Sequence, residues 1–196
     1  MRSITLTTVL LASIFYTAIS RGDVNNGDLF GYGLGDRYAT QQNESQGGGK
    51  LLLIEARDPV KPRSIDKVYV LLTPVTHSIG RIAGETWYAS GEDAIVEYER
   101  YRVILRQKYG DWESEERTEQ NFHMSRFSKG NHELILRVSG PHQGDLAPSE
   151  SHVFRFLLTL NYKPSTEKAV AFEAMANKEI EQSGAGNYSK EDLKGL

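Results

Sequence analysis

Between Ser90 and Gly110 the chain has one regular conformation open to it. Wound at 3.6 residues per turn, Ala94, Tyr98, Tyr101, Leu105 and Tyr109 fall on a single stripe, with Ile95 at its edge. Ser90 and Asp93 have the spacing of a capping box, with Asp where Glu or Gln is usual. Glu92 and Asp93 near the start and Arg106 and Lys108 near the end suit the helix dipole. Gly110 is placed for a left-handed C′ residue. A helix is therefore expected over about 91–109. Its far side carries a second apolar patch, Val96, Val103 and Ile104, which needs a cover of its own, either a C-terminal helix or a partner.

The flanking segments have the two-residue period of strands. Lys50–Ala56 holds a short apolar run. Asp66–Thr73 is apolar on both faces, as a central strand is. Ser78–Tyr88 reads as a third strand weakened by Gly80 and Gly84. After the helix, Asp111–Glu119 reads as a solvated acidic connection, without the ligand spacing of a calcium loop. Gln120–Phe127 and His132–Ser139 suggest a hairpin. A three-residue loop, Lys129-Gly130-Asn131, keeps Phe122 and Met124 on the face of Leu134, Leu136 and Val138. That register sends His123 and His132 to opposite faces. Val153–Tyr162 alternates most clearly, and Ala169, Phe172, Ala176 and Ile180 mark a thin helical stripe behind Pro164. The expected fold is α+β, an antiparallel sheet of five to six strands with a central helix (about 91–109) and a C-terminal helix (about 166–182) packed on it.

Outside that domain, taken as 50–183, residues 1–20 read as a signal peptide. Arg2 supplies the n-region, an apolar stretch follows, and Ala18 and Ser20 precede a cut before Arg21. The stretch is shorter than the roughly 20 apolar residues of a bilayer span, so no stable membrane span is expected after cleavage. Losing Arg2 leaves 22 basic against 26 acidic residues, a net charge of −4, which disfavours nucleic acid as a partner. The absence of cysteine rules out a lipid-anchored N-terminus and leans the exported chain toward a bacterial envelope. Residues 21–49 read as a flexible glycine-rich arm whose Leu29, Phe30, Tyr32, Leu34 and Tyr38 can dock on the domain, and 184–196 as a disordered tail. Gly31, Gly33 and Gly35 lack the strand and helix that a dinucleotide loop requires.

No cofactor or metal site is expected, since the five histidines have no ligand spacing. Nor is there a Gly-x-Ser-x-Gly elbow or a cysteine nucleophile. The leading expectation is a periplasmic or secreted, non-enzymatic binding or accessory domain for an envelope protein or cell-wall component. Its candidate contact residues are Phe30, Tyr32, Trp87, Tyr88, Val96, Val103, Ile104 and Trp112. Two alternatives remain open. One is a small hydrolase with a loop-built site around Glu85, His142 and His152. The other is a carrier of a small apolar ligand beneath the stripe of Tyr98, Tyr101 and Tyr109.

Overall fold

The computed structural model describes residues 28–39, 51–120, 122–142, 149 and 152–182. The signal segment, residues 21–27 and 40–49 of the arm, and the tail lie outside them. A ribbon of β1 (Asp28–Leu29) and β2 (Tyr32–Gly33) precedes a seven-stranded antiparallel sheet. Its strands are β3 (Leu52–Glu55), β4 (Lys67–Leu72), β5 (Ile79–Tyr88), β6 (Glu113–Glu119), β7 (Phe122–Lys129), β8 (His132–Ser139) and β9 (Phe154–Tyr162). Helix α1 (Gly91–Lys108) links β5 to β6, and α2 (Glu167–Gln182) follows β9. The fold is α+β. The spatial order β3-β4-β5-β9-β8-β7-β6 inserts β9 between the strands before α1 and those after it. That central position is why β9 is so apolar: Phe156 and Leu160 are fully buried.

Helix α1 begins as its cap residues dictate. Ser90 is extended and its hydroxyl accepts the Asp93 N–H at 3.0 Å, while donating to Asp93 Oδ2 at 3.0 Å. The C-terminus differs from expectation, because Gly110 is not left-handed. Glycine is needed there for space, since a Cβ would lie 2.8 Å from the Arg106 carbonyl oxygen. The tyrosine stripe is core. The Tyr101 ring packs 5.1 Å from Phe156, and Tyr109 packs against Trp112 and Phe127. The hydroxyls are satisfied where they are buried, Tyr98 by Ser125 Oγ at 2.7 Å and Tyr101 by Ser64 Oγ at 2.9 Å.

Two features of the second half correct the sequence reading. The acidic connection is an edge strand, β6, which makes seven strands instead of five or six. Its residues are exposed throughout, so alternation gives no sign of it. Ion pairs attach it to its surroundings: Glu116 to Arg102 and Arg106, and Glu115 to Arg126. A charged, polar edge also discourages pairing with a further chain.

The hairpin turns on two residues, Gly130-Asn131, not three, with positive φ at Gly130 alone (56°). Such a turn favours glycine at its first central position. Met124 consequently faces Arg137, and Phe122 faces Ser139, on the side away from α1. His123, Ser125 and Phe127 take the helix side. His123 and His132 thus share that side, near Tyr98 and Tyr162 respectively. Grouping apolar residues misled here because both faces of the hairpin are partly apolar, whereas Tyr98 requires a polar partner beneath it.

Residues 28–39 belong to the layer on the helix side. Phe30 is buried over Gly84, where a Cβ would stand 2.5 Å from its ring. Gly35 N–H donates to Ile79 O and Ile79 N–H to Asp36 O, at 2.7 and 2.9 Å. Helix α2 seats Phe172 over Gly80 in the same way and fastens Glu179 to the turn at Val75 and Thr76. It leaves the back of α1 uncovered: Val96 is 63% and Val103 50% exposed.

Candidate functional site

Every described element outside the sheet that contacts it broadly does so on one side. Tyr101 of α1 meets Phe156, Phe30 meets Gly84, and Phe172 of α2 meets Tyr162. The strand registers place Phe156, Gly84 and Tyr162 on that same face. The opposite face has no described helix across it. There the alternate residues form rows running across the strands. One row is Trp87, Arg155 and Ser139 on β5, β9 and β8, and the next is Glu85, Leu157 and Arg137. On β4, Tyr69 pairs with Ala83 one row further on, and Arg81, Asn161 and Glu133 make the row beyond that.

The chemistry concentrates around Arg155. Its Nε and Nη2 donate to Glu85 Oε2 at 2.9 and 2.6 Å, and its guanidinium lies 5.6 Å from the Trp87 ring centroid. The edge of His142 meets Trp87 at 5.5 Å, and His142 Nε2 lies 3.0 Å from Ser139 Oγ. Burial, then the charges of Arg155 and Arg137, push the His142 pKa down, so the ring is neutral at pH 7. Burial and the adjacent Glu85 carboxylate raise Tyr69 to about 12, keeping its phenol protonated. Further along, Glu133 is buried between Asn161 Nδ2 at 2.8 Å and Arg126 Nε at 3.1 Å.

The Nε of Arg137, like that of Arg126, is buried without a hydrogen-bond partner among the described residues, though Arg126 has the Glu133 carboxylate beside it. Burial, followed by the charges of Arg155 and Arg81, holds the Arg137 pKa below the ordinary arginine value.

The residues singled out from the sequence do not converge. Phe30 and Trp112 are buried in the core, and Tyr32 donates its hydroxyl to the Arg57 carbonyl. Tyr88 lies on the helix side of β5, opposite Phe154. Val96, Val103 and Ile104 sit on the outer face of α1, the last of them half-buried. Trp87 alone of the set lies on the open sheet face. Of the three residues named for hydrolysis, Glu85 is held by Arg155, and His142 stands beside Ser139. His152 is exposed on the loop, near Ser149 Oγ. The hydroxyls of Tyr98 and Tyr101 are engaged inside the core, so those two offer little to a ligand beneath the stripe. Among the described residues no three histidine, aspartate or glutamate side chains gather as a metal ion requires, and no helix is long and apolar enough to cross a membrane.

The arginines were missed because each reads as the polar phase of its own strand. Arg137 and Arg155 do share a signal, since both interrupt otherwise apolar strands, but only the register brings them together. Compared with known protein families, the chain matches no family model, and no curated protein matches it.

Proposed function

We propose that this chain is an exported, non-enzymatic binding domain that holds an envelope protein or cell-wall component on the open face of its sheet. The observation carrying this reading is the composition of that face. Trp87, Leu157, Ile135 and Met124 are only partly buried there, interleaved with arginines, and no described helix lies over them. Binding surfaces are enriched in such aromatic, methionine and arginine side chains. The export half of the proposal rests on the apolar segment before Arg21.

The test has two arms. The full chain, expressed in a Gram-negative host, is expected in the periplasmic or secreted fraction with a mass beginning at Arg21. A product retained in the cytoplasm with its first 20 residues removes export from the proposal. Purified protein is then sedimented with isolated cell-wall sacculi and with solubilised envelope proteins. Trp87→Ala and Leu157→Glu are expected to reduce co-sedimentation, whereas Val103→Ser, on the outside of α1, is not. The opposite pattern would move the contact to the helix.

One observation favours a second reading. Ser139 Oγ lies 3.0 Å from Nε2 of a neutral His142, the spacing of a nucleophile and its general base, with Arg137 and Arg155 on the same face. A fluorophosphonate probe labelling Ser139, with the label lost in His142→Ala, would establish hydrolytic chemistry. Unlabelled protein leaves the pair as a loop contact.

A further inference from the structure

We infer that the open sheet face contains an oxyanion site in which Arg137 is the principal donor, and that the ligand is a carboxylate or phosphate borne on an apolar or sugar scaffold. This rests on the proposed binding role of that face and specifies its chemistry.

Charge on the face is the first support. On this side β5, β9, β8 and β7 carry four arginines (Arg81, Arg126, Arg137, Arg155) and two glutamates, while the edge strand β6 adds Arg117 with Glu113, Glu115 and Glu119, so the surplus of positive charge is confined to the inner strands. Glu85 is engaged by Arg155, and Glu133 by Arg126 and Asn161. No carboxylate among the described residues pairs with Arg137.

The second support is the position of the Arg137 guanidinium. Arg137 stands opposite Leu157 on one side and Met124 on the other; the residue is half-buried, and its shielded Nε has no acceptor among the described residues. A buried donor left unmatched costs about 1–3 kcal/mol, more when it is charged. A fold gains nothing from such a group, and an apolar residue of similar volume would be tolerated better. An incoming oxyanion changes the balance, because a guanidinium pairs with carboxylate or phosphate through two parallel charge-assisted hydrogen bonds. Leu157, Trp87 and Met124 then provide walls for the group that bears the anion.

The experiment uses the full chain and small probes. Benzoate, inorganic phosphate and neutral benzamide are titrated while the Arg137 Nε–Hε signal is followed by NMR. Benzoate or phosphate is expected to shift that signal, and benzamide to leave it in place. The stronger of the two anions distinguishes a carboxylate ligand from a phosphate ligand. Arg137→Met is expected to weaken anion binding at least tenfold while melting at the same temperature or higher. Arg137→Lys is expected to recover only part of the affinity, since one ammonium cannot form the paired contact. Arg100→Gln, on α1, serves as the control and should bind as the native chain does.

Equal binding of benzoate and benzamide, no shift with either anion, or unchanged affinity in Arg137→Met would each overturn the inference. So would strong destabilisation by Arg137→Met, which would make the arginine a structural element. Failure here with Trp87-dependent sedimentation intact removes only the oxyanion. Loss of the Trp87 dependence removes the binding face itself.

Discussion

Besides the packing of Phe172, one carboxylate fastens helix α2 to the domain, and replacing Glu179 by glutamine should loosen it in a way that depends on pH. Glu179 is 6% exposed. Its Oε2 accepts the N–H groups of Val75 and Thr76 at 2.7 and 3.2 Å, and its Oε1 accepts the Thr76 hydroxyl at 2.6 Å. Hydrogen bonds to a charged group contribute about 1.5–3 kcal/mol each when tested singly, and less than their sum when they share an acceptor. Glutamine can keep an oxygen against the two N–H groups but loses the charge, so Glu179→Gln should cost about 1–2 kcal/mol. These bonds outweigh burial and lower the Glu179 pKa below the usual glutamate value.

The sign of the pH effect follows. With the folded pKa depressed, the carboxylate's contribution is fully present above the unfolded value of about 4.3. It is lost as pH falls through the lower folded value. The native chain should therefore converge on Glu179→Gln in acid. Urea titrations from neutral pH to about 3 measure the difference, and amide exchange shows whether α2 opens before the sheet. Equal stability at pH 7, or a gap that persists unchanged into acid, would refute the account.

Two further predictions concern the helix side of the sheet. Removing the 2.7 Å contact between Tyr98 and Ser125 by Tyr98→Phe or Ser125→Ala should destabilise by about 1–2 kcal/mol. In a double-mutant cycle the pair should lose less than the two single losses combined; additivity would mean the hydroxyls do not interact. Gly84→Ala places a methyl 2.5 Å from the Phe30 ring and should destabilise by about 1–3 kcal/mol. Phe30→Ala should relieve much of that added cost, and a full Gly84→Ala penalty in the Phe30→Ala background would show that residues 28–39 do not sit there.

Legibility in the sequence varied with the range of the interaction. The cap at Ser90, the stripe of α1 and the alternation of β9 are set by neighbours a few residues apart, and they stand where their spacing puts them. The hairpin register needed Tyr98, 27 residues from Ser125, to decide which phase of β7 lies inward. Strand β6 needed β7 and three arginines from elsewhere to turn a charged run into an edge. The candidate site was legible only in part. Trp87, Glu85 and His142 were singled out from the sequence, while Arg137 and Arg155 look like ordinary polar positions until β8 and β9 are paired.

The sequence by itself therefore determined the class of the fold, an antiparallel sheet with a central and a C-terminal helix. Periodicity and capping are local properties that survive without any knowledge of the partner. Tertiary structure alone decided which face of that sheet stays open and what gathers on it. Charge and hydrogen-bond satisfaction are properties of neighbours in space: Arg137 faces Leu157 and Met124 through strand pairing, and that no carboxylate among the described residues pairs with it is a property of the assembled sheet alone.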